Sequence, residues 1–413
     1  MKRSPQQPAD RRDRFARRSA GPLRILTAVP LCDGHDAAVT TINVELARHG
    51  VEVIYLGYHC AASAIARAAA QEDVHAVGIS SYNGGHVVFF SEVVSQLRAR
   101  GGGDIAVFGG GGGTITPADE RVMRRRGVDR IFFAGTPLGE MMTSVTSRYA
   151  RVPGPGAGLG GDRALARAIT LAEAAGQSGK RMRRPRESGK GAFVVGVAGP
   201  GGAGKSTLID ELTSRFLRAR PAGRIAILAN DPSQPDSGGA ILGDRVSAIY
   251  TQDDRVFFRS LATRGNVSGV SRATPESIGI LRNSGEFELI LVESVGIGQD
   301  GDPFQVFGAG PRLVNAMLFM LAPHYGGRIQ LQKTSLLRGA DIVALNKCDH
   351  PSAHAARAEI AAVLESNQAE RQMVETIAAR HHDPGVDKVY EAIARMSEGH
   401  AARGAAGRGR SAS

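Results

Sequence analysis

"AFVVGVAGPGGAGKSTLIDELTSRFLRA", Ala192 to Ala219, passes from an apolar β-branched run through a glycine-rich turn into a segment of helical periodicity. Gly199 to Ser206 fits GxxxxGK[ST], with a strand before it and a helix after it, the setting in which that motif binds phosphate. Glycines let main-chain N–H groups close around phosphate oxygens, and the helix N-terminus favours negative charge. The lysine reaches the β and γ phosphates and the hydroxyl is placed for Mg²⁺. Gly202, Ala203, Gly204, Lys205, Ser206 and Thr207 are therefore candidate nucleotide contacts, with Lys205 also a catalytic candidate. A P-loop α/β domain is the fold this stretch dictates.

The base is read further on, by "NKCD", Asn346, Lys347, Cys348 and Asp349, directly after the apolar run "DIVAL". A carboxylate at Asp349 accepts from the N1–H and the exocyclic amine of guanine, a donor pair that adenine does not offer. GTP is thus expected over ATP. Between these motifs, "NDPSQPDSGGAILGD" and "VESVGIGQ" each follow an apolar strand and bring Asp231, Asp244 and Glu293 to strand or loop ends near the phosphates. Mg²⁺ takes hard oxygen ligands and keeps several waters, so one or two of these carboxylates are expected to act through water. Glu293 and Gln299 are the further catalytic candidates, Gln299 for positioning water. A helix cap or turn residue is the alternative for each.

Upstream, "LRILTAV", "VEVIYLG", "VHAVGIS", "DIAVFGG" and "DRIFFAG" alternate with helix-period segments over residues 23–150. Such a βα repeat makes a parallel sheet. "GDRALARAITLAEAAG" (161–176) reads as an amphipathic helix inside a linker, 151–190, and the second α/β region spans 191–400. Residues 1–22 and 401–413 are expected to be disordered. The net charge of +11 is concentrated: residues 1–20 carry seven basic and two acidic side chains, residues 177–190 six and one, and the segment after His400 adds three arginines. The remainder nets about −2, so nucleic acid is not the expected partner. Three separated cysteines and no apolar run long enough to span a bilayer point to a cytoplasmic protein with neither export nor membrane insertion.

The strings of residues 192–349 resemble the G-protein chaperones of cobalamin-dependent acyl-CoA mutases, whose pattern joins a P-loop to "DPS…SGG…LGD", "E-[ST]-x-G-x-GQ" and NKxD. The stretch after Gln299 departs from that family's switch segment. The first half resembles cobalamin-binding domains, which carry DxHxxG, SxL and GG at set intervals. Here Asp33 and His35 open the motif, 41 residues separate Ala38 from Ser80, and 26 separate Tyr82 from Gly109 and Gly110. Ala38 stands in place of the last glycine and Tyr82 in place of the leucine. The resemblance implies His35 as axial cobalt ligand, Asp33 holding its other N–H, and Ser80 bonded to the cofactor's benzimidazole. The "GGGGG" run from Gly109 offers backbone without Cβ where the nucleotide tail passes. His86 is either a corrin-face residue or a helix start.

Together the two halves resemble the front portion of the fused isobutyryl-CoA mutases. That implies two doubly wound parallel-sheet domains, a flavodoxin-like cobalamin-binding domain and a P-loop GTPase, with adenosylcobalamin, GTP and Mg²⁺ as cofactors. A substrate (β/α)₈ barrel needs about 200 residues or more. None is present in this sequence, so the mutase barrel is expected on a separate chain or lost, and a homo-oligomer is expected. The alternative is a free-standing cobalamin-responsive GTPase metallochaperone or regulator without a mutase partner.

Overall fold

The computed structural model describes residues 21–30, 37–82, 84–150, 159–177, 191–296, 301–305, 312–324, 335–366 and 373–409. Strands β1 (Arg24–Ala28), β2 (Glu52–Tyr55), β3 (Ala76–Ser80), β4 (Ala106–Gly110) and β5 (Arg130–Phe132) pair in parallel, with helices in the connections. The order β5-β4-β3-β1-β2 is the flavodoxin-like one, with its reversal between β1 and β3. These strands are buried on both faces, which is why they read as continuous apolar runs rather than as alternation.

The second sheet has the order β13-β12-β11-β6-β10-β7-β9. Its strands are β6 (Phe193–Ala198), β7 (Ile225–Asp231), β9 (Val256–Ala262), β10 (Leu289–Glu293), β11 (Ala316–Leu321), β12 (Ile342–Leu345) and β13 (Met373–Glu375), all parallel. The remaining strand, β8 (Ala240–Leu242), lies within the second half of the sequence but pairs with β2, with Glu52, Val53 and Ile54 opposite Ala240, Ile241 and Leu242. It makes the sixth strand of the first sheet, so a division of the chain at residue 190 cuts across a hydrogen-bonded ladder.

The helix Gly161–Gln177, foreseen in the linker, is wedged between the two sheets. Arg163 and Arg167 reach Asp73 of the first domain at 3.2 and 2.8 Å. Glu173 pairs with Arg259 at 2.6 Å and with Arg264 at 3.0 Å in the second. One expectation is corrected at the C-terminal end. The helix Pro384–Gly409 continues through residues 401–409, expected to be disordered; the four alanines and two arginines of that stretch favour the helix against three glycines. The N-terminal segment 1–20 and most of the basic stretch 177–190 lie outside the described residues.

Candidate functional site

The P-loop leaves the central strand β6 and is shaped by its glycines. Gly204, at the N-cap of the helix Lys205–Ala219, has a φ of 93°, open to glycine and strained for other residues. A Cβ there would lie 2.4 Å from the Asn346 amide nitrogen. That approach locks two loops together. Asn346 Nδ2 donates to the Ala203 carbonyl at 2.9 Å, and its Oδ1 accepts from Thr376 Oγ1 at 3.1 Å and from the Ala378 N–H at 2.9 Å. Asn346 is therefore an anchor for three loops. Thr376 and Ala378, which the sequence reading passed over, belong to the site; the signal available was a polar residue directly after a short apolar strand. Lys347, with φ of 60°, turns the loop so that it and Asp349 are exposed and Cys348 is half-buried.

Lys205 is buried, and its ammonium donates to the carbonyls of Gly199 and Pro200, each at 3.2 Å. Burial depresses its pKa. Ser206 Oγ donates to Glu293 Oε1 at 2.9 Å. Glu293 ends β10 opposite Val197 of β6, so it stands beside the start of the P-loop. Its carboxyl is pushed up to about 8 by burial and by the charge of Asp244. Asp231 ends β7, and burial with the charges of Asp244 and Glu293 pushes it up to about 9. The nearby main-chain N–H of Asp244 pulls the other way, and Oδ2 of Asp231 is buried with no hydrogen-bond partner. Asp244 is raised too, by burial, against the opposing pull of Lys205.

Lys205 thus offsets the charge of Asp244 and Glu293 but not that of Asp231, whose orphaned buried oxygen fits a metal ion there. Among the described residues no group of three or more His, Cys, Asp or Glu side chains is arranged to hold a metal alone. The donor set suits Mg²⁺ completed by phosphate oxygens and water. Gln299 lies outside the described residues.

In the first domain a cavity of about 330 Å³ opens at the carboxyl ends of β1, β3, β4 and β5, at the point where strand order reverses. This is where open α/β sheets bind ligands. Ser80, Gly109 and Gly110 line it together, and so do both departures from the motif, Ala38 and Tyr82. His35 and Asp33 lie outside the described residues.

The glycine run has a reason beyond ligand access. A Cβ at Gly109 would meet the Ile79 carbonyl at 2.3 Å, at Gly111 the Ser81 carbonyl at 1.8 Å, and at Gly112 the Tyr82 ring at 1.9 Å. The backbone is thus pressed against its own neighbours, and the Tyr82 ring takes up the space over Gly112. His86 starts a helix. It is buried at the head of the helix His86–Ala99, with Nε2 3.4 Å from Asp119 of the capping box at Thr116.

Comparison with known proteins agrees with both halves. Residues 165–413 match the family of methylmalonyl-CoA mutase-associated GTPase MeaB, and residues 23–139 match the B12 binding domain. A fused isobutyryl-CoA mutase of Cupriavidus metallidurans is 37% identical over 395 residues, covering 91% of this chain and 36% of that protein. A putative GTPase of Pyrococcus abyssi is 35% identical over 249 residues, 58% of this chain and 73% of its own length. The hydrogenase maturation factor HypB of Archaeoglobus fulgidus overlays 56% of the chain with a TM-score of 0.37 at 16% identity. The chain spans about a third of the length of the fused relatives it matches. It belongs to the MeaB family of mutase-associated GTPases, with a B12-binding domain ahead of the GTPase domain.

Proposed function

We propose that this chain binds adenosylcobalamin in its first domain and Mg²⁺–GTP in its second, and serves as the cofactor-carrying chaperone portion of an acyl-CoA mutase. GTP binding and hydrolysis gate cofactor loading, and the substrate barrel, acting on isobutyryl-CoA in the fused proteins, is supplied from outside the residues present here. The observation that carries this reading is the pair of open sheet ends: a P-loop beside the orphaned carboxylate oxygen of Asp231 on one sheet, and a cavity lined by Ser80, Gly109 and Gly110 on the other. Free thiols at Cys60 and Cys348 support a cytoplasmic location, and no helix among the described residues is long and apolar enough to cross a membrane.

Each side chain then has work to do. Lys205 exchanges two main-chain acceptors for phosphate oxygens. With Mg²⁺ bound, Ser206, Asp231 and Asp244 would hold the metal directly or through water, and Ser206 would give up its bond to Glu293. Asp349 selects guanine. Hydrolysis depends on positioning and charge stabilisation, for which Lys205 and Glu293 are placed and Gln299 is the sequence candidate. In the first domain Ser80 would bond the cofactor's displaced base and Asp33 would fix the His35 tautomer. Cobalamin supplies the radical chemistry when it is bound.

The test is spectroscopic. Wild-type protein mixed with adenosylcobalamin is expected to show histidine-ligated cobalt, and His35→Ala is expected to lose that signature while still hydrolysing GTP. Identical spectra for the two would sink the cobalamin assignment.

A further inference from the structure

The segment that joins Asp231 to Asp244 is built on the other domain. Its strand β8 extends the first sheet, with the Ala240 N–H bonded to the Val51 carbonyl at 3.2 Å. Ser237 Oγ donates to the Ala47 carbonyl at 2.7 Å. Gly239 lies so close that a Cβ would meet the same carbonyl at 2.1 Å. Immediately after Asp244, Arg245 turns inward to the first domain. Its Nη1 donates to Glu72 Oε1 at 3.2 Å and its Nη2 to Gln71 Oε1 at 2.5 Å, and the guanidinium lies 5.1 Å over the Phe258 ring. The segment starts at Asp231, the last residue of β7, and ends at Asp244, the first residue of a 3₁₀ turn, Asp244–Ser247, that packs on the P-loop helix Lys205–Ala219.

We infer that the cobalamin-binding domain positions the metal side of the nucleotide site through residues 232–245. In this arrangement β8 docks on β2, and Glu72 and Gln71 act through Arg245 to hold Asp244 against Asp231. These are positioning residues; none touches nucleotide. The inference rests on the Mg²⁺–GTP reading above and deepens it, because it names the route by which the two domains sense one another. Coupling is reciprocal: whatever shifts the edge of the first sheet changes affinity for the Mg²⁺-bound nucleotide, and that nucleotide shifts the sheet edge by the same factor. The P-loop and the NKCD loop stand on β6 and β12, not on β8, so binding of nucleotide without metal depends far less on this route, through the charge of Asp244 near Lys205.

Two variants test it in the full chain. Gly239→Val cannot keep β8 against Ala47, and Arg245→Lys loses the forked contact with Glu72 and Gln71. Affinity for a fluorescent GDP is measured in EDTA and in Mg²⁺, and amide exchange is followed over residues 232–244. In EDTA both variants are expected to lose far less affinity than they do in Mg²⁺. The gain in affinity on adding Mg²⁺ is expected to fall about tenfold in each, within the usual range of coupling, with faster exchange confined to 232–244. In wild type, adenosylcobalamin is expected to slow exchange over that segment, and in Gly239→Val to leave it unchanged. Equal Mg²⁺ gains in all three proteins, with exchange over 232–244 accelerated in the variants, would overturn the inference alone. Failure of wild type to bind GDP in EDTA would break the GTPase reading, and this inference with it.

Discussion

Two sets of buried carboxylates in this molecule have opposite electrostatics. At the seam between the domains, Glu52, Glu72 and Glu173 face Arg24, Arg245, Arg259 and Arg264. Arg24 bonds Glu52 at 2.7 Å and Glu72 at 2.8 Å, and Arg259, fully buried, bonds Glu173 at 2.6 Å. Burial alone would raise Glu52, but Arg264 and Arg24 hold it down at about 2. At the phosphate end, among the described residues, Lys205 alone offsets Asp244 and Glu293 and no cation offsets Asp231, and all three acids are pushed upward. Where buried acids are matched by forked cations they join the two domains. Where they are left short of cations the site is prepared for one from outside.

The largest break in that comparison is made at the seam. Arg259→Met removes a fully buried cation and leaves Glu173 to share what remains, so urea unfolding is expected to show a loss of about 3–5 kcal/mol. A loss below about 1 kcal/mol would mean that the seam charges are solvated and the contrast is false.

A second test uses pH, because the two sets slope in opposite directions. Asp231 and Glu293 keep their protons until about 9 and about 8 in the folded protein, whereas the unfolded chain loses them near the ordinary values of about 4. Over that window the folded state binds more protons, so metal-free stability falls as pH rises, by on the order of a few kcal/mol. Glu52 runs the other way: its contribution is intact above its ordinary value near 4.5 and is lost as pH falls toward about 2. Denaturant titrations in EDTA read the first slope, and Mg²⁺ with GDP is expected to flatten it, since a bound cation replaces the protons. A flat profile in EDTA from about pH 5 to about pH 9 would remove the distinction.

The sequence made the phosphate end readable and left the seam invisible, for a physical reason. The P-loop, the NKCD turn and the acids at strand ends are local patterns, each set by what its own few residues must do. All five strands of the first domain stand where the apolar runs put them. The seam depends on partners far apart in the chain, such as Arg24 with Ser260 or Arg245 with Gln71. Glu52 in "VEVIYLG" reads as an ordinary polar position until its cations are seen. Strand β8 fails the same way: three residues flanked by glycines carry no period, and their partner is chosen by the fold. Ser80, Gly109 and Gly110 were legible and share one cavity, whereas the need for glycine against Ile79 and Ser81 is a matter of contact that composition cannot show.

The smallest effect expected is a gain. Asp231→Asn keeps an oxygen for the nearby Asp244 N–H and puts an amide in place of the unpartnered Oδ2. That amide can donate to the neighbouring acids, so an orphaned acceptor disappears, and with it the charge that wild type acquires as pH passes about 9. Thermal or urea unfolding in EDTA is expected to show the variant about 1–2 kcal/mol more stable than wild type. In Mg²⁺ the order reverses, because wild type gains a metal ligand that the variant lacks. An acid whose removal stabilises the empty site and weakens the loaded one is there for its ligand. If Asp231→Asn destabilises the protein in EDTA as well, Asp231 is a structural acid like Glu52, and the two sets are of one kind.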